Sequence, residues 1–321
     1  MEEDMITEAL NRKIETIRAE FITGAVASTT INFVVIVDDI VHRPWVLEHV
    51  VQIDDKHPAR TIVLDTCGDR DIVALDYDRI EVSTAGMTPD DVRRLVQSLT
   101  VPEIPSVLWW TGVALTDQPF FEPLIDITDA LVVDSSGSTT GNRTIRELGA
   151  FFARHPRVAV CDLAWMRLRP WQDMIAYFFD DPNLMEELFF IRELEIVSGS
   201  EAEALYLGGW LGSRLGWTAC GRDEFCDRSG RGIPFTYRRE GAMRRVRSIS
   251  VATDNSRYSA ALTSSDEGVV SVTVTGERAR PERLVPLQSI DNASLIERAI
   301  LEPATGEVFE TALCMVGKIL A

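Results

Sequence analysis

The sequence predicts an α/β fold: a Rossmann-like, mostly parallel, doubly wound sheet, followed by a smaller α+β domain with an antiparallel meander. Three features of the 321-residue chain predict it. As far as residue 165, short apolar runs alternate with amphipathic segments of about ten residues, the rhythm of right-handed βαβ units. From residue 246 onward, apolar and polar residues alternate within each run, and turn-forming Asp, Asn and Gly separate the runs. That is the pattern of antiparallel strands solvated on one face. Between the two regimes, residues 222–247 are charged, glycine-containing and irregular. Chain length favours two domains. We place them at 1–169 and 170–321, with 170–215 free to pack on either half.

Each element follows from its residues. Ile6, Leu10, Ile14, Ile17 and Phe21 recur at helical spacing and predict an N-terminal amphipathic helix over 7–21. Residues 31–37 form a β-branched apolar run, read as a buried strand. Asp38 and Asp39 then sit where a helix N-terminus favours carboxylates. The helix runs through Ile53, with Val41, Trp45, Val46, His49 and Val50 as its inward candidates, and is stopped by Asp54-Asp55-Lys56-His57-Pro58. Strands follow at 60–64 and 79–84, the latter alternating and suited to an edge. Thr88-Pro89-Asp90-Asp91 supplies an N-cap, a first-turn proline and acids for a helix ending near Leu99. Residues 106–110, 130–133 and 158–160 are the next strands, with helices at 120–127 and 144–153 between them. Pro170 opens a helix whose apolar stripe is Trp171, Met174, Ile175, Phe178 and Phe179. A strand at 191–197 leads to a helix capped by Ser200 and ending at Leu215, where Gly208, Gly209 and Gly212 permit close packing. The meander occupies 246–253, 258–263 and 269–275, and helices at 291–301 and 307–320 close the chain.

Composition narrows the function classes. Fifty acidic against 32 basic residues give a net charge of −18. That disfavours nucleic acid, whose binding rests on basic surface against phosphate, and equally disfavours anionic lipid. No apolar run approaches the ~20 residues of a membrane span, and the acidic start Met1-Glu2-Glu3-Asp4 is unlike a signal peptide, so a cytoplasmic location is expected. Five cysteines without C-x-x-C spacing and four scattered histidines indicate neither a disulfide framework nor a metal site. The hydrolase, metalloprotease and kinase signatures are missing too. No catalytic residue and no cofactor is expected.

Three stretches remain as candidate sites. Asp134-Ser135-Ser136-Gly137-Ser138-Thr139-Thr140-Gly141 follows a strand, precedes a helix and is rich in hydroxyls. It reads either as an anion loop using Ser135, Ser136, Gly137 and Ser138, or as an ordinary capped β–α turn. It lacks the lysine of a P-loop and the G-x-G-x-x-G of a dinucleotide site. Cys67-Gly68-Asp69-Arg70 is a weaker version of the same turn. Trp165, Arg167, Arg169 and Trp171 alternate with apolar residues just beyond a strand end. They read either as an interface, for which Trp and Arg are the favoured types, or as a solvated arginine pair over packed indoles. Trp109 and Trp110 follow the same logic, although adjacent strand residues face opposite ways and at least one should be core. Cys220 and Cys226 lie six apart in a flexible stretch with Arg222 and Arg228 nearby, so a redox pair and two unrelated thiols are both open. Cys67, Cys161 and Cys314 read as buried.

In Ile104-Pro105-Ser106-Val107-Leu108-Trp109-Trp110-Thr111-Gly112, then Asp162-Leu163-Ala164-Trp165-Met166-Arg167-Leu168-Arg169-Pro170-Trp171, then Tyr206-Leu207-Gly208-Gly209-Trp210-Leu211-Gly212-Ser213-Arg214-Leu215-Gly216-Trp217, the chain resembles the OpcA family of bacterial glucose-6-phosphate dehydrogenase assembly proteins. The resemblance is strongest over 101–217. It implies a non-enzymatic role: binding glucose-6-phosphate dehydrogenase, promoting its active oligomer and raising its activity in the oxidative pentose phosphate pathway. In cyanobacterial members, thioredoxin-linked thiol chemistry tunes this, which makes Cys220 and Cys226 the candidates for such a switch here. The competing expectation is a sugar-phosphate or nucleotide enzyme built on the loop at 134–141.

Overall fold

The computed structural model describes residues 29–67, 73–76, 79–112, 115, 118–137, 141–241, 245–263, 268–288, 290–303 and 306–320. The helix expected over 7–21 lies outside the described residues, as do Ser138 and the Gly68-Asp69-Arg70 part of the weaker turn. Tertiary contacts divide the chain into two compact units. The first comprises Met1–Val133, His155–Cys161 and Ile296–Ala304; the second comprises Asp134–Arg154, Asp162–Leu295 and Thr305–Ala321. The chain therefore passes between units several times, not once at 169/170. The segment 170–215 belongs wholly to the second unit.

The first unit is built on a seven-stranded sheet of β1 (Ile31–Val37), β2 (Ala59–Asp65), β3 (Val73–Asp76), β4 (Arg79–Ser83), β5 (Ser106–Trp110), β6 (Ala130–Val133) and β7 (Ala159–Asp162), in the order β3-β4-β2-β1-β5-β6-β7. β1 pairs in parallel with β2 and β5, β2 with β4, and β5 with β6. β3, which periodicity missed, is an antiparallel edge hairpin on β4. At four residues it is too short to show a period. Helix α1 (Arg43–Asp54) follows β1, with Val46, His49, Val50 and Ile53 buried; Val41 is 78% exposed and is not an inward residue. Helix α2 (Pro89–Leu99) begins as its sequence predicts: Thr88 Oγ1 accepts from Asp91 N at 3.2 Å, and Asp91 Oδ2 accepts from Thr88 N at 3.2 Å. Helix α3 (Phe121–Ile125) links β5 to β6. β1 and β2 are buried at every position, as a strand covered on both faces must be.

The second unit contains an eight-stranded sheet. Its strands are β8 (Ile191–Ser198), β9 (Thr218–Gly221), β10 (Glu224–Cys226), β11 (Gly232–Arg239), β12 (Val246–Thr253), β13 (Ser256–Leu262), β14 (Val269–Gly276) and β15 (Arg280–Pro286), in the order β15-β14-β13-β12-β8-β11-β10-β9. The expected meander is present as β12–β14. It extends further than expected, because the irregular stretch after residue 217 supplies β9, β10 and β11, and β11 runs parallel to β8. Its arginines and glycines hid strands whose inward positions are only Phe225, Ile233 and Phe235. The helices of this unit are α4 (Gly141–Arg154), α5 (Leu163–Met166), α6 (Arg169–Phe179), α7 (Pro182–Met185), α8 (Glu201–Leu215) and α10 (Glu307–Ile319), and α9 (Asn292–Leu301) straddles the division. α8 packs closely on its neighbours through glycine. A Cβ on Gly208 would lie 2.7 Å from Phe235, and one on Gly209 would lie 2.8 Å from the Ala312 carbonyl of α10. Among the described residues no helix is long and apolar enough to cross a membrane.

Candidate functional site

Two places in this architecture invite a ligand. The first is the crevice of the parallel sheet. The chain runs outward from β1 through β2 to β4, then returns to the other side of β1 as β5. The strand order therefore reverses between β1 and β5, and open α/β sheets bind ligands beyond the carboxyl ends at that point. Here Asp38, just past β1, and Gly112, just past β5, lie against each other. A Cβ on Gly112, just past β5, would run into the Asp38 carboxylate and lie 2.8 Å from Trp110 Nε1. Burial pushes the Asp38 carboxyl above its ordinary range. The next residue, Asp39, occupies the start of α1: its Oδ1 accepts from Val41 N at 2.8 Å and its Oδ2 bonds His42 Nδ1 at 2.6 Å. That His42 contact holds the exposed Asp39 carboxyl below its ordinary range. Where a dinucleotide fold places a glycine turn that cradles pyrophosphate, this chain places two carboxylates. At the end of β2, Asp65 bonds Arg43 Nε at 2.9 Å, and the same guanidinium reaches Glu81 at 3.1 Å. Arg43 thus bridges Asp65 at the end of β2 and Glu81 of β4.

The second place is the loop after β6. Among its described residues, the backbone donors of 135–137 are engaged within the protein. Ser135 N donates to Asp162 Oδ1 at 3.2 Å, Ser136 N to Asp134 Oδ1 at 3.0 Å, and Gly137 N to the Asp134 carbonyl at 3.2 Å. Over its described residues 134–137 the loop is an Asx turn leading into one turn of 3-10 helix. Carboxylates surround it, and Arg167 holds them together. Its Nη1 lies 3.2 Å from Asp134 Oδ1, 3.0 Å from Ser136 Oγ and 3.2 Å from Glu203 Oε1, while Nη2 bonds Asp134 Oδ2. Behind this, Asp162 accepts from Tyr206 Oη at 2.7 Å and from Ala164 N at 2.9 Å, which caps α5. Glu203 Oε2 accepts from Val246 N at 3.1 Å. Burial pushes Asp162 up to about 6, with the Asp134 charge adding to the rise. It pushes Glu203 up to about 8 against the opposing pull of Arg167. Burial and the neighbouring Asp162 also hold Tyr206 well above a normal phenol, so it is a neutral donor.

The tryptophans and arginines separate accordingly. Trp109, Trp110 and Trp171 are 2%, 1% and 4% exposed. Trp109 stacks on Phe33 at 6.1 Å, and Trp110 meets Phe121 edge-on at 5.0 Å. As core residues they have no surface to offer a partner, which corrects the expectation for these three. Both strand indoles are core because helices cover both faces of the sheet. Trp165 is half-buried among Tyr206 and Phe309. Arg167 is the hub just described, its side chain 13% exposed. Arg169 alone stands in solvent, paired with Asp173 on the rim of a groove of about 750 Å³ that also exposes Tyr177. The D-L-x-W-x-R-L-x-P-W block is therefore chiefly a structural knot. Asp162 caps it, Leu163, Ala164, Leu168 and Trp171 anchor it, and Arg167 ties it to the loop and to α8.

Sequence reasoning missed Asp38, Asp162, Glu203 and Tyr206. Ser200-x-x-Glu203 carries the spacing of a capping box, and Ser200 does accept from Glu203 N at 3.4 Å, but the Glu203 side chain turns to Arg167. Cys220 and Cys226 are joined by a disulfide with Cα atoms 5.7 Å apart, linking β9 to β10. Of the remaining cysteines only Cys161 is buried; Cys67 is intermediate and Cys314 exposed, unlike the expectation. Among the described residues no group of three or more His, Cys, Asp or Glu is placed to hold a metal.

The fold defines a class: a protein whose chain follows a Rossmann-like α/β path, with two carboxylates after its first strand. Solved structures show the path. The chain is similar to a 3-ketoreductase from Actinomadura kijaniata in complex with NADP and TDP-benzene, with TM-score 0.54 and 10% identity over 90% of this chain and 95% of that one. It is also similar to levoglucosan dehydrogenase in complex with NADH and L-sorbose, with TM-score 0.50 and 9% identity over 91% and 96%. At such identities the likeness is one of fold alone. Sequence comparison is more specific. Residues 50–150 match the family profile described as glucose-6-phosphate dehydrogenase subunit N-terminal domain, and residues 158–313 match its C-terminal counterpart. The chain belongs to the OpcA family. Relatives named for OpcA and the OxPP cycle include one from Synechocystis sp., 32% identical over 143 residues, which is 43% of this chain and 30% of the relative. Another, from Synechococcus elongatus, is 29% identical over 164 residues, or 50% and 33%. The matched stretch thus spans about a third of these relatives.

Proposed function

We propose that this chain is a non-catalytic partner of glucose-6-phosphate dehydrogenase that docks on the enzyme, favours its active oligomer and so raises its activity. The observation that carries the non-catalytic part is the Asp38 carboxylate lodged at Gly112 in the switch-point crevice. Bound pyrophosphate there would face Asp38 and Asp39 within a few ångströms, and like charges at ~4 Å repel by about 4 kcal/mol even with surface screening. The family profiles, described as glucose-6-phosphate dehydrogenase subunit domains, support that choice of partner. Activation without chemistry requires tighter binding to the active oligomer than to the inactive form, since only differential affinity moves an equilibrium. Arg169 and the exposed edge of Trp165 are the motif residues available to a partner. The Cys220–Cys226 disulfide lies on an outer hairpin of the second unit, where a thioredoxin-type reductant can reach it, and we assign it a regulatory role.

The test is direct. The purified chain, mixed with the dehydrogenase, should co-elute with it, shift it toward a larger oligomer by light scattering and lower its KM for glucose 6-phosphate. By itself it should turn over neither glucose 6-phosphate nor NADP. Separate elution with unchanged kinetics would end the reading, as would steady turnover by the chain alone.

A further inference from the structure

Arginines are distributed unevenly over this acidic chain. Residues 214–247 carry nine arginines against four carboxylates, whereas the whole chain has a net charge of −18. This stretch forms β9, β10 and β11, the three strands on one side of the eight-stranded sheet, and the start of β12, which lies across β8 from β11. Arg239 ends β11 directly opposite Ser198 of β8, and Val246 opens β12 opposite the same residue. Gly199 N bonds the Arg245 carbonyl at 2.9 Å, which holds the two arginine-bearing strand ends together. The hairpin tip lies alongside: Phe235 N donates to the Asp223 carbonyl at 2.9 Å, and the Arg222 charge is felt at Tyr237. Arg214, Arg222, Arg228, Arg238, Arg239 and Arg245 are all exposed. Arg238 pairs with Glu195 at 2.5 Å and Arg222 reaches Asp223 only at 3.9 Å. Arg214, Arg228 and Arg239 have no ion pair among the described residues.

From this we infer that the β9–β11 edge is the docking surface for an acidic face of glucose-6-phosphate dehydrogenase, an inference that rests on the partner proposed above. Arg222 and Arg239 are exposed toward the same end of β9–β11 and are suited to bidentate carboxylate contacts. A basic patch on an acidic molecule also orients the encounter. The rest of the surface repels an acidic partner, and this edge attracts it, which raises the on-rate and selects one docking face. Nucleic acid is the poorer occupant, because a long polyanion would run from this edge over acidic surface.

The test compares binding of the full chain and of an Arg222→Glu/Arg239→Glu variant to the dehydrogenase by surface plasmon resonance at low and high salt. With a Debye length near 10 Å at 0.1 M salt, the wild-type affinity should fall at least ~10-fold between low and high salt, mostly in the association rate. The variant should bind at least ~10-fold more weakly at low salt and lose most of that salt dependence. Arg93→Glu, on α2 in the other unit, should bind as wild type. An Arg222→Lys/Arg239→Lys variant should retain the salt dependence, and unchanged circular dichroism confirms folding. Wild-type binding with no effect of the charge reversal overturns this inference and leaves the partner reading standing, whereas no wild-type binding overturns both. Salt-sensitive self-association or DNA retention lost on charge reversal, with dehydrogenase binding intact, would assign the edge elsewhere and also overturn it.

Discussion

Replacing Arg167 with methionine, of similar length but uncharged, probes the hub of the second unit. The wild-type guanidinium serves Asp134, Ser136 and Glu203 at once, with its side chain 13% exposed and that of Glu203 2% exposed. Removing one partner from a buried charged cluster costs about 3–5 kcal/mol, because the carboxylates left behind remain desolvated. The size should depend on pH in a defined direction. Arg167 pulls down the proton affinity of Glu203, which burial has raised to about 8. Without it Glu203 holds its proton to still higher pH. Below pH 8 both native states carry that proton, and the loss should be near the lower bound, about 3 kcal/mol. Above pH 8 the wild type releases the proton and the variant does not. The deficit then grows by up to about 1.4 kcal/mol per pH unit. Urea denaturation followed by circular dichroism at pH 6.5 and pH 9 reads both values. A variant as stable as wild type at both, yet defective in binding the dehydrogenase, would show that Arg167 is a surface contact and would refute the hub. Arg169→Ala, at a surface pair, should change stability by less than about 0.5 kcal/mol.

Other outcomes follow from the same coordinates. Gly209→Ala should destabilise by about 1–3 kcal/mol, because its methyl meets the Ala312 backbone; Gly149→Ala, mid-helix and with nothing within 4 Å, should stabilise by about 0.5–1 kcal/mol, both read by urea titration. Isothermal titration with millimolar NADP should give no binding heat for the wild type, and measurable binding would contradict the reading drawn from Asp38 at Gly112. Reductant should change the affinity of the wild type for the dehydrogenase but not that of Cys220→Ser or Cys226→Ser, and an equal response in all three would reject the thiol switch. Because Asp162 and Glu203 have raised proton affinities, their contribution to wild-type stability should be greatest below their unfolded pKa values. It should decline as pH rises through about 6 and about 8. A denaturation midpoint that rises steadily from pH 5 to 9 would contradict this.

Much of the fold was legible before any coordinates. β1 is continuous apolar sequence and Thr88-Pro89-Asp90-Asp91 is a self-contained helix start; each is dictated by neighbours within a few residues, and each appears where expected. The strands at 218–239 were not legible, since arginine, glycine and proline mask a sparse apolar alternation that only pairing with β8 completes. That both Trp109 and Trp110 are buried was not legible either. Adjacent residues of a short strand face opposite ways, and sequence alone does not say whether helices cover one face of the sheet or both.

The order of strands and helices, the acidic balance, the arginine-rich stretch and the family blocks are properties of the chain as written, because local periodicity and composition need no third dimension. What Arg167 is for was decided only by folding. Asp134 and Glu203 are far apart in sequence, and nothing local says that they converge on one guanidinium. The meeting of Asp38 and Gly112 was decided the same way. They lie just past β1 and β5, strands that become neighbours only when β5 returns beside β1.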